Sequence, residues 1–373
     1  MRARALAAAA ILLLTAGVVA CAADTPAVDG SSSESESESE SEPESLAARA
    51  AHSMTPLDTG ALLVAGGCVV DGCATATTSS FLVRGDAAEP TADLNDARDA
   101  HTATLLSDGR VLVTGGFAAE GTGPLTSAEI FDPDTGRWTQ VGDLGVGRGG
   151  HSAALLGDGR VLVAGGWVGP RQYTATTEIF DPQSGEFTAG PTLPEAVLAP
   201  GAVALADGCV LLAGGQLDSS TASDTALTVC PGGALTPVGT LGQPRFKHAT
   251  VLLSSGEVLV VGGTPDDLEL LATSEVFDPA TGRFHPGPDL LEGRYKMGAV
   301  VLPDGRVAVS GGGPGIEILD VVGGASDHVD AAGDVVASFS TIGVSDGRLI
   351  VLGGYDESIQ LTGLHLSVPL TEL

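Results

Sequence analysis

Short apolar runs separated by turn residues fill most of the chain, and they predict β-strands joined by tight turns. The stretch HTATLLSDGRVLVTGGF, residues 101–117, places two such runs around an Asp-Gly turn and ends in a Gly-Gly pair. Residues 151–167, HSAALLGDGRVLVAGGW, repeat this pattern. Asp-Gly suits a tight hairpin turn, and the periodicity of a long amphipathic helix is missing from the sequence. The chain therefore repeats a β-hairpin.

Gly-Gly pairs close this hairpin in every repeat. They lie at 66–67, 115–116, 165–166, 214–215, 262–263, 311–312 and 353–354. The steps between their first glycines are 49, 50, 49, 48, 49 and 42 residues. A fixed period near fifty residues indicates a repeat architecture, here with seven units.

Each unit can be divided into four strands, named a to d in chain order. In the third unit, strand a covers 151–156, strand b 160–164 and strand c 176–182, and strand d follows the turn at 183–185. In the seventh unit we assign HLSVPL, residues 365–370, as the fourth strand. Closure of the ring would then rest on packing between units one and seven.

Three features of the units carry a resemblance to kelch repeats. They are the Gly-Gly pair after strand b, a Glu-Ile-Phe-Asp-Pro type of strand c, and an aromatic residue that opens strand d at Trp138, Phe187 and Phe284. Residues 46–373 resemble a kelch domain, and units such as LLSDGRVLVTGG are similar to the propeller repeats of galactose-oxidase-type proteins. The resemblance implies an all-β, seven-bladed propeller with four antiparallel strands per blade.

The N-terminus predicts export and lipidation. Residues 1–20 combine a basic start with an apolar run, as in a secretory signal, and the run ends in Val-Val-Ala before Cys21. This resembles a bacterial lipobox, in which Cys21 becomes the lipidated first residue, and Ala22 resembles an outer-membrane sorting address. Residues 21–45 include SSSESESESESEPES, which predicts a disordered tether.

The propeller region is strongly acidic. Outside the signal and the tether, 39 acidic residues stand against 15 basic ones. Such a surface repels nucleic acid and anionic lipid, so we expect neither as a partner.

Four cysteines remain besides Cys21, and an oxidising compartment favours disulfides. Aligning the units predicts that the residue opening strand b lies beside the residue ending strand c. Three units place an ion pair there, namely Arg110–Asp132, Arg160–Asp181 and Arg306–Asp320. Unit four has cysteine at both positions, which predicts a Cys209–Cys230 disulfide; unit five, with two acids, does not fit. Cys68–Cys73 is the natural second bridge, with a two-thiol metal site as the alternative.

A basic motif precedes strand a in most units. It reads RAAH, RDAH, RGGH, RFKH and RYKM in units one, two, three, five and six. Its basic residues are Arg49, Arg98, Arg148, Arg245, Lys247, Arg294 and Lys296. One interpretation is a ring of positive charge at one channel mouth that binds a carboxylate or sulfate. The other is a set of ion pairs between blades with Glu129, Glu178, Glu275 and Glu317.

The sequence does not match a known catalytic constellation. The histidines of the motif are expected to cap strand a, because one histidine per blade is poor geometry for a metal ion. A copper-radical oxidase of the galactose-oxidase type would need tyrosine, cysteine and histidine ligands that have no counterpart among Tyr173, Tyr295 and Tyr355. We predict no catalytic residues, no metal and no cofactor.

The predicted function is that of a membrane-anchored binding module. We expect a monomeric lipoprotein of the bacterial outer membrane, facing the periplasm or the outside, that binds a protein loop or a glycan at its basic mouth. The alternative is a periplasmic enzyme acting on an acidic sugar, similar to the sialic-acid mutarotases that share the kelch propeller.

Overall fold

The structure is a computed structural model that describes residues 48–119, 121–329, 336–356 and 358–373. The predicted signal peptide, Cys21 and the tether at 21–45 lie outside the described residues. Within them, no helix is long and apolar enough to cross a membrane.

Seven antiparallel sheets form the blades of a propeller, which confirms the predicted all-β fold. Blades one and two consist of β1 (Ser53–Pro56), β2 (Leu62–Ala65), β3 (Ser80–Arg84), β4 (Ala87–Pro90), and β5 (Thr102–Leu105), β6 (Val111–Thr114), β7 (Ala128–Asp132), β8 (Arg137–Gln140). Blade three consists of β9 (Ser152–Leu155), β10 (Val161–Ala164), β13 (Thr177–Asp181), β14 (Glu186–Ala189), with an extra hairpin of β11 (Trp167–Gly169) and β12 (Gln172–Tyr173) in its b–c loop.

The remaining blades follow the same order of strands. Blades four and five consist of β15 (Gly201–Ala204), β16 (Val210–Ala213), β17 (Thr225–Val229), β18 (Leu235–Thr240), and β19 (Ala249–Leu252), β20 (Val258–Val261), β21 (Ser274–Asp278), β22 (Arg283–Pro286). Blades six and seven consist of β23 (Gly298–Val301), β24 (Val307–Ser310), β25 (Ile316–Asp320), β26 (Ala325–His328), and β27 (Thr341–Ser345), β28 (Arg348–Leu352), β29 (His365–Pro369). Short 3-10 turns occur at Asp71–Cys73 and Leu370–Glu372.

The seventh blade departs from the prediction. Its described strands form a three-stranded sheet in the order β27, β28, β29. Residues HLSVPL therefore supply strand c of this blade, and their assignment as a fourth strand is wrong. The register shows why, because Val351 of strand b pairs directly with Leu366.

The core consists of seven apolar clusters, one at each interface between neighbouring blades. Strand b of each blade contributes side chains to two of these clusters, because successive side chains of a strand point to opposite faces. Leu63 packs toward blade two, whereas Leu62 and Val64 pack toward Ile350 and Leu352 of blade seven. Strand b is thus buried on both faces, which explains its unbroken apolar runs. The last interface closes the ring by packing between blades one and seven, as predicted.

The predicted Arg–Asp pairs between strands b and c do not form. Arg110 instead bonds to Asp108 of its own turn, with Nε at 2.9 Å from Oδ2, and Arg160 and Arg306 bond to Asp158 and Asp304 in the same way. The aspartate that ends strand c accepts the N–H two residues further on, as at Asp181 and Gln183. Each side chain finds a partner within two residues, and ordering such a contact costs little chain entropy.

Candidate functional site

The connections between blades and the b–c loops meet on one face of the propeller. In six of the seven blades, the second residue of the motif before strand a forms an antiparallel bridge with the residue that follows the Gly-Gly pair, as Asp99 does with Phe117 and Gly149 with Trp167. This surface, made of the motifs and the b–c loops, is called the loop face below. The channel mouth and every basic residue of the motif belong to it.

The five motif arginines are buried on the loop face, with at most 1% of each residue exposed. Four bond to the glutamate of strand c in their own blade. Arg98 Nη2 lies 2.8 Å from Glu129, Arg148 Nη2 2.8 Å from Glu178, and Arg245 Nη2 3.0 Å from Glu275; Arg294 pairs with Glu317. The ion pairs therefore lie within a blade and not between blades.

The same side chains hold the connecting segment in place. Arg148 Nη1 donates to the carbonyl oxygens of Gly165 and Thr176, at 2.8 and 3.0 Å. Glu178 accepts the backbone N–H groups of Gly145 and Val146. Because both charges are paired and hydrogen-bonded out of water, the pair determines the path of the chain into the blade.

Blades that lack the arginine also lack the glutamate. In blade four, Val197 takes the place of the arginine, and Leu227 pairs with strand b where Glu178 does in blade three. In blade seven the corresponding residues are Ala337 and Leu366. Arg49 of blade one bonds to Gly66 O and Ser79 Oγ and lies over the Phe81 ring, 4.9 Å from its centroid. Among the described strands the glutamate therefore occurs only together with the arginine, whereas blade one keeps the arginine with Phe81 at the glutamate position.

These positions correct the predicted arginine-rich binding site. Arg49, Arg98, Arg148, Arg245 and Arg294 are enclosed by their own blades and do not face a ligand. Lys247 and Lys296 of the same motif are different, because both are partly exposed.

The motif histidines join neighbouring blades. His101 Nε2 lies 2.9 Å from Ser53 Oγ of blade one, and His151 Nε2 lies 2.9 Å from Thr102 Oγ1 of blade two. His52 contacts Thr341 of blade seven at 2.6 Å. Each histidine lies at a different blade interface, so together they do not form a metal site.

Acidification should destabilise the protein through these histidines. Burial, with a smaller contribution from a nearby arginine, lowers the pKa of His52, His151 and His248 to about 3 and that of His101 well below its usual value. In the unfolded chain the histidine pKa is about 6.5, so the unfolded state binds more protons below this pH. Burial raises the pKa of Asp99 to about 7, so protonation of this one group stabilises the folded state as the pH falls. The four histidines together have the larger, opposite effect.

We therefore expect the melting temperature to fall as the pH drops from about 7 to about 5. Calorimetry across this range, on the wild type and on His151→Asn, should show a shallower slope for the variant. His328→Asn is the control, because His328 is exposed. Equal slopes for all three proteins would contradict the prediction.

Seven residues in the left-handed conformation surround the channel mouth, one from the third motif position of each blade. They are Ala51, Ala100, Gly150, Ala199, Lys247, Lys296 and Phe339, with φ between 46° and 60°. Backbone N–H groups link five neighbouring pairs, for example Gly150 N to Ala100 O at 2.8 Å and Lys296 N to Lys247 O at 2.8 Å. This set is called the mouth ring below. Its side chains are small in blades one to four and large in blades five to seven.

The large members build a cluster of cationic and aromatic groups. Lys296 Nζ lies 4.9 Å from the Tyr295 ring centroid and 4.7 Å from that of Phe339. Lys247 Nζ lies over Phe246 and Tyr295, at 5.0 and 5.7 Å. These five residues are called the lysine–aromatic cluster. Cation–π contacts of this kind contribute about 0.5–2 kcal/mol each.

Charge is unevenly compensated in the lysine–aromatic cluster. Lys247 forms an ion pair with Asp267 at 2.5 Å. Among the described residues, Lys296 has no carboxylate within ion-pair distance. Burial and the charge of Lys247 lower the pKa of Lys296 to about 8, although Asp267 acts in the opposite direction. Lys296 is therefore largely protonated at neutral pH and open to an anionic partner.

Both predicted disulfides are present in the structure. Cys209–Cys230 joins strands b and c of blade four, where other blades carry arginine and aspartate. Cys68–Cys73 closes a short segment of the b–c loop of blade one. The register prediction is therefore correct even though the ion pairs that suggested it do not form.

Similarity to known proteins agrees with this geometry. The family model of the kelch motif matches residues 100–145 and 148–194. These matches and the blades support a kelch-repeat propeller. No match was found among curated proteins.

Two solved structures are similar to the kelch propeller as a whole. One is a fungal alcohol oxidase of the AA5 family in complex with copper, with a TM-score of 0.65, 18% identity, and coverage of 86% of this chain and 73% of that chain. The other is YjhT, with a TM-score of 0.58, 14% identity, and coverage of 83% and 99%. At these identities the likeness shows the fold alone.

Among the described residues, the donor groups do not fit copper. His52, His101 and His151 bond to hydroxyl groups at separate blade interfaces. In the described part of the chain, three potential ligands come together only at Cys68, Cys73 and Asp99, where the two sulfur atoms are bonded to each other.

The sequence carries a partial signal for the lysine–aromatic cluster. The motifs RFKH and RYKM differ from RDAH and RGGH at the third position, which is the mouth-ring position. The arginines of these motifs are buried, whereas the lysines face the mouth. This difference depends on the left-handed backbone at the lysines, which composition does not reveal.

Proposed function

We propose that the protein is a non-catalytic binding module of the bacterial cell envelope, and that its ligand presents a carboxylate to the lysine–aromatic cluster. The observation that carries the proposal is Lys296. Its ammonium group lies between the rings of Tyr295 and Phe339, without an ion-pair partner in the described chain. A ligand carboxylate would supply the missing charge.

The chemistry of the cluster favours one carboxylate beside an apolar face. Two ammonium groups lie close together, and Asp267 already neutralises one of them. Tyr295 and Phe339 are partly exposed at the same place and offer ring surfaces on which a sugar can stack, whereas Phe246 is buried beneath them. The net negative charge of the propeller region repels long polyanions. We therefore propose an acidic sugar residue of a glycan as the ligand.

The N-terminal sequence supports anchoring as part of this proposal. The signal, the Cys21 lipobox and the Ser/Glu stretch would attach the kelch propeller to the outer membrane and hold it away from the lipid surface. An anchored binding module would retain glycans or glycan-bearing partners at the envelope.

Calorimetric titration of the full-length protein with N-acetylneuraminic acid and glucuronic acid tests the proposal. Charge-assisted hydrogen bonds contribute about 1.5–3 kcal/mol, so Lys296→Met should weaken binding at least about tenfold. Lys296→Arg should retain most of the affinity at neutral pH. In the wild type, binding should weaken as the pH rises through about 8, because Lys296 loses its proton there.

Arg283→Met is the matched control, because it removes an exposed positive charge from strand d. It should leave the affinity unchanged, and neutral N-acetylglucosamine should bind less tightly than the acidic sugars. If an acidic peptide binds and the acidic sugars do not, the ligand is a protein loop. If Lys296→Met and Arg283→Met behave alike, the site is wrong.

An enzyme acting on an acidic sugar is the second candidate. Lys296 also favours it, since an amine whose pKa is about 8 can exchange a proton near neutral pH. Exchange NMR of N-acetylneuraminic acid distinguishes the two candidates. An enzyme would accelerate interconversion of the anomers, and Lys296→Met would abolish the acceleration, whereas a binding module would leave the exchange rate unchanged.

A further inference from the structure

The Cys68–Cys73 disulfide lies among ionisable groups from three blades. A carboxylate oxygen of Asp99, from the motif of blade two, and the two sulfur atoms lie within 4.8 Å of one another. The hydroxyl oxygen of Tyr355, from the b–c loop of blade seven, lies 2.9 Å from Cys73 Sγ. This group of four residues is called the disulfide cluster. It adjoins the lysine–aromatic cluster of blades five to seven, because the Tyr355 ring contacts the Phe339 ring edge-on, with 6.4 Å between the ring centroids.

The two sulfur atoms differ in access. Cys68 is fully buried, whereas Cys73 is partly exposed. Cys73 also has a φ of 57°, a left-handed conformation that is unfavourable for a residue with a Cβ atom. An incoming thiolate can therefore reach Cys73, and Cys68 would be the leaving group.

Asp99 is placed to donate a proton to the Cys68 sulfur when that sulfur leaves. It is 5% exposed, and burial raises the pKa of its carboxyl group to about 7. The groups that face it are Tyr355, which is titratable, and the two disulfide-bonded cysteines, which are not; Asp71 also acts electrostatically on Tyr355. On its own segment, Arg98 is bound to Glu129 and His101 bonds to Ser53. The carboxyl group can therefore carry a proton in neutral solution and transfer it to a sulfur atom nearby.

We propose that Cys68–Cys73 is a thiol–disulfide exchange site that oxidises a dithiol on a partner protein. A thiolate of the partner attacks Cys73 Sγ, and a mixed disulfide forms as the Cys68–Cys73 bond breaks. The Cys68 sulfur leaves with the electron pair of that bond and takes the proton of Asp99. The second thiol of the partner, deprotonated by the Asp99 carboxylate, then attacks the mixed disulfide and releases Cys73, which Tyr355 stabilises through its hydroxyl group. The partner, which enters as one thiolate and one thiol, loses two electrons and one proton. The cysteine pair gains both and ends as the Cys68 thiol and the Cys73 thiolate.

The second disulfide provides an internal control. Cys209–Cys230 holds together two strands of blade four; Cys209 is buried and Cys230 is partly exposed, so access resembles that of the first disulfide. Within the described residues, no carboxylate oxygen lies within 4.8 Å of both of its sulfur atoms. It has the features of a structural bridge, with no acid to assist its exchange.

The experiment measures both disulfides in the same molecule. Full-length protein is mixed with dithiothreitol at a series of pH values, quenched with iodoacetamide after increasing times, and analysed by peptide mass spectrometry. We expect Cys68–Cys73 to be reduced at least about tenfold faster than Cys209–Cys230 at pH near 7. The ratio of the two rates should fall as the pH rises through the pKa of Asp99.

Asp99→Asn tests the assigned role, because asparagine keeps the shape and cannot donate the proton. We expect the rate ratio to drop at least about fivefold near pH 6.5 and to lose its pH dependence, while the Cys209–Cys230 rate stays constant and reports an intact fold. A dithiol peptide in excess should yield one equivalent of oxidised peptide per wild-type protein and none with Cys73→Ser. Equal rates for the two disulfides, or a ratio unaffected by Asp99→Asn, would overturn the proposal.

Discussion

Arg148→Met should destabilise the protein by about 3–5 kcal/mol, because it leaves Glu178 charged and buried without its partner. The Arg148 side chain is not exposed, and that of Glu178 is 9% exposed. The substitution also removes the donors to Gly165 O and Thr176 O. Urea unfolding followed by tryptophan fluorescence measures the loss.

The double variant Arg148→Val, Glu178→Leu is the matched test, since blade four carries Val197 and Leu227 at these places. Removing both charges avoids the unpaired carboxylate, so we expect the double variant to be more stable than the single variant Arg148→Met by at least about 1 kcal/mol. It should remain less stable than the wild type, because carbonyl and N–H groups around the pair lose their partners. A single substitution that costs less than about 1 kcal/mol would show that the pair is not a major structural element.

Gly115→Ala should be more damaging still, with a loss of at least about 4 kcal/mol or failure to fold. Gly115 has a φ of 59°, and a Cβ atom there would lie 2.3 Å from the carbonyl oxygen of Arg148. That oxygen belongs to the backbone of the next motif and accepts the N–H of Gly116. It cannot move without breaking the contact between neighbouring blades.

Gly185→Ala separates crowding from backbone strain. Gly185 has a φ of 75°, and a Cβ atom there would have no neighbour within 4 Å. It should therefore lose only about 1–2 kcal/mol, the cost of a left-handed conformation for alanine. Thermal unfolding of both variants gives the comparison. Similar losses for both would mean that strain alone explains the Gly-Gly pairs.

Much of this fold could be predicted from the sequence because the blade is repeated. The Gly-Gly period predicts seven blades, and the cysteines of blade four predict the register of strands b and c. The sequence assigns residues HLSVPL of the seventh blade to a fourth strand. In the structure they form strand c, which follows the b–c loop between Leu352 and His365.

The candidate site was harder to predict than the fold. The sequence places arginines and lysines in one motif, but it does not show that Arg245 points into its blade while Lys247 faces the mouth. That difference follows from the left-handed backbone at Lys247, which is fixed by pairing between the motif and the b–c loop. Asp99 was overlooked for a similar reason, since its proximity to Cys68 and Cys73 involves two different blades.

The mouth ring has a consequence for how new specificity could arise in such a protein. Its links run from backbone N–H to backbone carbonyl, so they persist whichever side chain a blade presents. Alanine, glycine, lysine and phenylalanine already occupy equivalent places in one chain. A lineage could therefore alter the chemistry of the opening one blade at a time, by single substitutions that leave the scaffold intact.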